Sequence, residues 1–309
     1  MRPLARPPRL APGAKVAVVA PSGPVPEARL QAGLDILRGW DLDPFAMPHV
    51  LDTGRDLGYL AGADASRARD LEQAWCDPSV AAVFCARGGY GAQRMADLVD
   101  WDAMRRAAPK VFLGYSDITA LHEAFATRLG VATLHGPMTA TEDFLKNARA
   151  QDHLRTTLFT PEDARVITAP EGAGTLVGGR ARGVTLGGCV SLLAAGLGTP
   201  DARPSARGGL LLLEDIGEEA YRLDRILTQL LRADWLTGVA GIALGSWQEC
   251  GPYAEVRAVL ADRLGGLGVP VAEEFGFGHC AGALTMPFGA VAELDADAGT
   301  LALEMPALA

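Results

Sequence analysis

The chain of 309 residues is longer than one average domain needs, so two domains or one large α/β unit is expected. Hydrophobic residues make up 49% and charged residues 21%, which allows a full core and excludes global disorder. The formal net charge of −9 argues against sequence-independent binding of nucleic acid and offers no basic patch to anionic lipid.

The first stretch, MRPLARPPRLAPGAK, is basic and Pro-rich but has no apolar h-region. The next apolar run, Val16 to Ala20, is too short for a signal peptide or a membrane span. Lys15-VAVVAPSGPVP reads as a buried strand closing in a Pro/Gly turn. Leu30, Leu34 and Leu37 then mark one helical face. Asp41 to Val50 is a second, weaker strand because it holds Pro44 and Pro48. Ala65 to Cys76 predicts a helix. Val80-AAVFCA predicts a strand that runs straight into Arg87-GGYGAQR, and Ala92 to Leu98 begins a helix. Lys110-VFLGY is a strand with Ser116 at its end, and Asp117 to Leu129 is a helix. Val131-ATLHGPM is one more strand.

This alternation of strand, turn and helix argues a parallel sheet covered on both faces. Residues 141 to 175 are polar and less periodic, and they contain the candidate interdomain link Thr160-PEDARVITAPEGAG. A first domain over 1–165 and a second over 166–309 follow, with a linker at about 160–182. The second half offers the strand Gly209-LLLLED, an amphipathic helix from Tyr221 to Leu231 and the strand Val239-AGIALGSW. A helix from Val256 to Leu264, a Gly-rich loop Gly276-FGHCAGALTMPFGA and a hairpin around Asp297-AG come after it.

The five cysteines, Cys76, Cys85, Cys189, Cys250 and Cys280, are widely spaced and form no C-x-x-C. Reduced, mostly buried thiols in a cytoplasmic protein are expected, rather than a disulfide framework or a zinc knuckle. No H-E-x-x-H or paired Cys/His spacing predicts a metal.

Gly114-Tyr115-Ser116-Asp117-Ile118 lies between a predicted strand and a predicted helix. A nucleophile elbow has that shape, and the helix N-terminus after it presents free N–H groups to an oxyanion. The second glycine of G-x-S-x-G is missing, and a plain helix cap at Ser116 is the competing reading. Arg87-GGYG ends a strand, and its glycines let backbone face a ligand. A phosphate cradle, an oxyanion-hole amide and a purely structural turn all fit it, although no Walker pattern is present. Glu214 and Asp215 follow four leucines, at the strand end where open α/β sheets place ligands. Glu218 and Asp224 are close by, and composition does not choose among the four acids. Of the histidines, His122 falls inside a helix, His135 ends a strand, and His279 sits in a loop rich in glycine and aromatic residues. Together a Ser on an elbow, an acid at a strand end and a loop His fit acyl transfer.

At these residues the chain resembles the LD-carboxypeptidase family, which includes muramoyltetrapeptide carboxypeptidases and microcin-immunity peptidases. The resemblance runs through VAVVAPSGPV, Gly58-YLAGADASRARDL, Arg87-GGYGAQR, Val111-FLGYSDITALH, Gly187-GCVSLLAAGLGTP, Leu211-LLEDIGEEAYRLDRILTQL and Gly276-FGHCAGALTMPFG, in the family's order. It implies a catalytic triad of Ser116, Glu214 and His279, with an oxyanion hole from the N–H groups of Gly89 and Asp117. Arg87, Tyr90 and Trp247 are implied to line the substrate site. The implied fold is α/β, with a Rossmann-like parallel-sheet N-terminal domain and a smaller C-terminal domain of swivelling β/α-barrel type. The implied reaction is hydrolysis of the amide between an L-centre diamino acid and terminal D-Ala of a murein tetrapeptide, in cell-wall recycling. A cytoplasmic homodimer without metal or cofactor is implied, with no membrane or nucleic-acid partner. Cys189 stands where relatives often carry Asn. R-G-G-Y-G and L-E-D-I-G-E resemble the carboxypeptidase branch more than the microcin-immunity branch. Cleavage of peptidyl- or acyl-aminoacyl amides and non-catalytic small-molecule binding on the same fold are the alternatives.

Overall fold

The structure is a computed structural model that describes all 309 residues. Five strands come first: β1 (Lys15–Val19), β2 (Asp43–Ala46), β3 (Val80–Cys85), β4 (Val111–Gly114) and β5 (Thr133–His135). Nine follow: β6 (Val166–Thr168), β7 (Gly174–Val177), β8 (Arg180–Cys189), β9 (Gly209–Ile216), β10 (Gly241–Gln248), β11 (Val271–Glu273), β12 (Met286–Phe288), β13 (Val291–Asp295) and β14 (Thr300–Leu303). The helices are α1 (Glu27–Gly39), α2 (Asp64–Cys76), α3 (Ala92–Ala96), α4 (Trp101–Arg106), α5 (Thr119–Ala124), α6 (Glu142–Lys146), α7 (Ala148–Phe159), α8 (Val190–Gly196), α9 (Ala220–Arg232) and α10 (Tyr253–Leu264).

β1, β3 and β4 are apolar almost throughout and buried on both faces, as a parallel sheet between helix layers requires. The first sheet runs β12-β5-β4-β3-β1-β2, and β1 to β5 are parallel. Strand order reverses at β1, between β2 and β3. The crevice at the carboxyl ends of β1 and β3 is where such sheets hold ligands. The second sheet has eight strands in the order β6-β14-β13-β8-β9-β10-β11-β7, with a parallel centre from β8 to β11. The expected two-domain α/β architecture is present.

Three features depart from the sequence expectation. The polar stretch after residue 141 holds α6 and α7, and the presumed linker holds β6 and β7. Most important, Met286–Phe288 is a strand rather than loop. It pairs antiparallel with β5, Met286 opposite His135, and forms the edge of the first sheet. The chain therefore crosses back into the N-terminal sheet after most of the second domain is built. The two domains also share one core. Phe84, Leu113 and Leu134 of the first sheet lie in the same apolar cluster as Leu210, Leu212 and Ala243 of the second. All five cysteines are free, and Cys85, Cys189 and Cys250 are buried. No helix is long and apolar enough to cross a membrane.

Candidate active site

β4 ends at Gly114, and Ser116 follows with φ +66°. This left-handed backbone is uncommon for a residue with a side chain and tends to mark functional turns. A 3-10 turn over Ser116–Ile118 leads directly into α5. The Ser116 hydroxyl caps neither the turn nor α5, so the helix-cap reading of this residue is not what the fold uses. Gly88 lies against it: a Cβ there would sit 2.8 Å from Ser116 Cβ and 2.9 Å from Oγ. Only glycine lets the loop after β3 approach that closely.

Asp117 ties this corner together. Its buried Oδ2 accepts from Ser22 Oγ at 2.6 Å and from the Ala92 N–H at 2.8 Å. The loops after β1, β3 and β4 are thereby held on one carboxylate. The backbone N–H groups of Gly89 and Asp117 are not spent on any backbone acceptor.

Strand parity separates the acids that sequence could not. Along β9, Leu210 and Leu212 face the core shared by the domains, while Leu211 and Leu213 face the layer under α8 and α9. Side chains alternate, so Glu214 turns toward the interface and Asp215 away from it. Asp215 accepts from the N–H groups of Ser191 and Ile216, and burial, then Glu214, raise its pKa to about 6. Glu218 pairs with Arg222, and Asp224 with Arg263. Glu214 is fully buried, and its Oε2 accepts from His279 Nδ1 at 2.6 Å and from the His279 N–H at 3.2 Å. Its Oε1 accepts from Cys189 Sγ at 2.9 Å. Burial, then the Glu214 charge, keep that thiol protonated and able to donate. Burial alone would raise the Glu214 pKa, but the facing His279 and His135 outweigh it and hold the carboxyl well below the usual range. Gly278, at φ +89°, would carry a Cβ only 2.5 Å from Glu214 Oε2, which explains glycine beside the histidine.

The three histidines also separate. His122 Nε2 donates to the Gly114 carbonyl and its Nδ1 accepts from Thr133 Oγ1, so it is a packed, structural ring. Burial lowers its pKa to about 3. His135 is fully buried, and its Nε2 lies 3.6 Å from Glu214 Oε1. Only the His279 ring retains exposure, and it stands 4.8 Å from the ring of Tyr115, the residue before Ser116. Ser116 and His279 are not hydrogen bonded to each other, a separation common before substrate arrives.

The loop carrying His279 is held by the first domain. Asp143 on α6 accepts from the N–H groups of Gly282 at 2.8 Å and Ala283 at 3.2 Å. His153 Nδ1 accepts from the Thr285 N–H at 3.0 Å, and burial lowers its pKa to about 4, which keeps that nitrogen free of a proton. Neither residue carried a motif, so sequence reading missed both. Asp143→Ala is expected to lower kcat about tenfold and destabilise the fold by about 1–3 kcal/mol, the scale of charge-assisted bonds. Melting temperature and turnover measured on the same preparation check this.

Two neighbouring cavities, with Gln248 and Cys280 in the lining of both, open around the His279 loop. One, about 550 Å³, is lined by Tyr115, Asp143, Lys146, Gln248, His279 and Cys280. The other, about 430 Å³, shares Gln248 and Cys280 and adds Trp247, Ser246 and Tyr253. Trp247 lines this second cavity. Arg87 and Tyr90 do not line these two cavities: Arg87 reaches the Pro24 carbonyl beside Gly89, and exposed Tyr90 packs edge-on against Tyr59.

Residues 16–136 match the N-terminal domain of LD-carboxypeptidases, and residues 182–294 match the C-terminal domain. A Streptomyces coelicolor protein whose name goes no further than carboxypeptidase is 73% identical over 308 residues, covering 100% of this chain and 99% of its own. The murein tetrapeptide carboxypeptidase of Pseudomonas aeruginosa is 32% identical, over 91% of this chain and 93% of its own. The crystal structure of an MccF-like protein from Bacillus anthracis superposes with a TM-score of 0.86 at 24% identity, covering 96% of this chain and 98% of that one, which shows the shared fold. With both domain matches in sequence order, the chain belongs to the LD-carboxypeptidase family.

Proposed function

We propose that this protein is a serine LD-carboxypeptidase that hydrolyses the amide between an L-centre diamino acid and terminal D-Ala of murein tetrapeptides. We place it in the cytoplasm, as a homodimer, in the recycling of cell-wall peptides. The observation that carries the reading is the pairing of buried Glu214 with part-exposed His279, a pair that stands beside Tyr115 at the elbow of the first domain. The murein tetrapeptide carboxypeptidase among its relatives supports the choice of substrate.

In this reading Ser116 Oγ attacks the carbonyl carbon before D-Ala. His279 Nε2 takes the hydroxyl proton, while Glu214 holds the other ring proton on Nδ1 and stabilises the imidazolium. The N–H groups of Gly89 and Asp117 stabilise the oxyanion. Loss of one such donor typically costs about 10²–10³ in turnover. His279 then protonates the leaving amine of D-Ala. Water, deprotonated by the same nitrogen, hydrolyses the acyl-enzyme and restores Ser116. Release of D-Ala from a tetrapeptide tests the substrate, assayed beside a peptidyl-nucleotide amide. Cleavage of the latter alone would move the protein to the microcin-immunity branch. A fluorophosphonate that fails to label the wild type would favour a binding protein instead.

The pH profile follows from the same pair. Burial of His279 favours the neutral ring, but the Glu214 carboxylate outweighs it and raises the pKa above its ordinary value. The base is competent only when neutral, so kcat/KM should fall with acidity through a midpoint above about 6.5. A profile flat from about pH 5 to 8 would rule out a histidine base.

A further inference from the structure

His135 has no role in that mechanism, yet it is fully buried and neither ring nitrogen has a hydrogen-bond partner. A buried polar group left in that state calls for an explanation. It stands at the edge of a cluster of metal-ligating side chains. Its Nε2 lies 3.6 Å from Glu214 Oε1, and the same oxygen meets Cys189 Sγ at 2.9 Å. One donor atom each from Cys189, Glu214 and His279 fall within 4.8 Å of one another. We propose that Cys189, Glu214 and His279 form a zinc site, with water completing the shell, whose occupation switches the enzyme off.

The donor set is what zinc takes: thiolate, imidazole and carboxylate, at bond lengths of about 2.0–2.3 Å. Tetrahedral ligands at those lengths stand about 3.2–3.7 Å apart. The Glu214–Cys189 and Glu214–His279 contacts, now 2.9 and 2.6 Å, widen by about 0.5–1 Å to admit the ion. Magnesium and calcium prefer all-oxygen shells and are not expected to compete.

The proton balance states how inhibition works. Zinc replaces the thiol proton of Cys189, which leaves to solvent. It takes the Nδ1 lone pair of His279, so the proton held there moves to Nε2. An Nε2 that carries a proton cannot accept one from Ser116, and the Glu214–His279 hydrogen bond is lost as well. Inhibition thus rests on the proposed triad, whereas binding rests on the ligand geometry alone.

Calorimetric titration of zinc chloride into the Ser116→Ala protein, which keeps all three ligands, reads binding without turnover. One tight site per chain is expected, with one proton released, seen as a dependence of the heat on buffer ionisation enthalpy. In the wild type, zinc chloride should stop D-Ala release, EDTA should restore it, and magnesium chloride should do nothing. Cys189→Ser and Cys189→Ala, each scored against its own metal-free rate, should need at least tenfold more zinc, and their calorimetric affinity should fall equally. Zinc bound as tightly without Cys189 would overturn the proposal, because it would place the ion elsewhere, such as the part-exposed His49–Asp70 pair. A wild type that binds zinc at Cys189 but releases no D-Ala from any tetrapeptide would refute the carboxypeptidase reading and leave the metal site standing.

Discussion

Ser116→Ala is expected to lower D-Ala release by about 10⁴-fold or more, the scale seen when a serine nucleophile is removed. Its melting temperature should stay within a few degrees of the parent. The Ser116 hydroxyl caps no helix, and alanine occupies the same φ of +66° at the same backbone cost. A fold that does not depend on the hydroxyl and a reaction that does would separate cleanly. Loss of fluorophosphonate labelling in the same variant links the effect to an activated oxygen. Wild-type turnover in Ser116→Ala would end the assignment.

Glu214→Gln is the second large effect. The carboxylate accepts from the ring and backbone of His279 and from Cys189, in a site without solvent. An amide keeps the shape but loses the charge, and its NH₂ must face one of those donors. Two consequences follow. The ring is no longer held in the tautomer that leaves Nε2 open, and kcat should fall about 10⁴-fold, as in serine proteases altered this way. The His279 pKa also loses its main upward influence, so the acid limb of the residual activity should shift to lower pH. A kcat within tenfold of the parent would remove Glu214 from the catalytic group. A donor left unpaired in a buried site adds about 1–3 kcal/mol of destabilisation, measurable by denaturant titration.

Much of the first domain was legible because its strands are buried on both sides. Val16 to Val19, Val80 to Cys85 and Val111 to Gly114 have no polar alternation to confuse, and each is punctuated by glycine or proline. α7 was not legible for the opposite reason. It buries Ala150, Leu154, Thr157 and Leu158, and two of those four are small or polar, so its apolar stripe barely stands out. β12 was hidden by its length and by Pro287 at its centre, which a strand tolerates at a sheet edge. In the site, the residue types could be named but not paired. Four acids near residue 214 were equivalent on paper, and the alternation of β9 alone distinguishes Glu214 from Asp215. His135 at a strand end and His279 in a Gly-rich loop were both open as the base, and only the packing of the domains gives one of them the Glu214 Oε2 atom.

The return of β12 to the first sheet has a consequence for how the chain is made. β5 has no second neighbour until Met286 to Phe288 pair with it. During synthesis the N-terminal sheet therefore waits, one edge open, until nearly the whole polypeptide has left the ribosome. The loop bearing His279 is delivered in the same late stretch, directly before β12. Pairing β12 with β5 and seating the ring beside Tyr115 thus belong to one late step, and that step also completes the reactive centre.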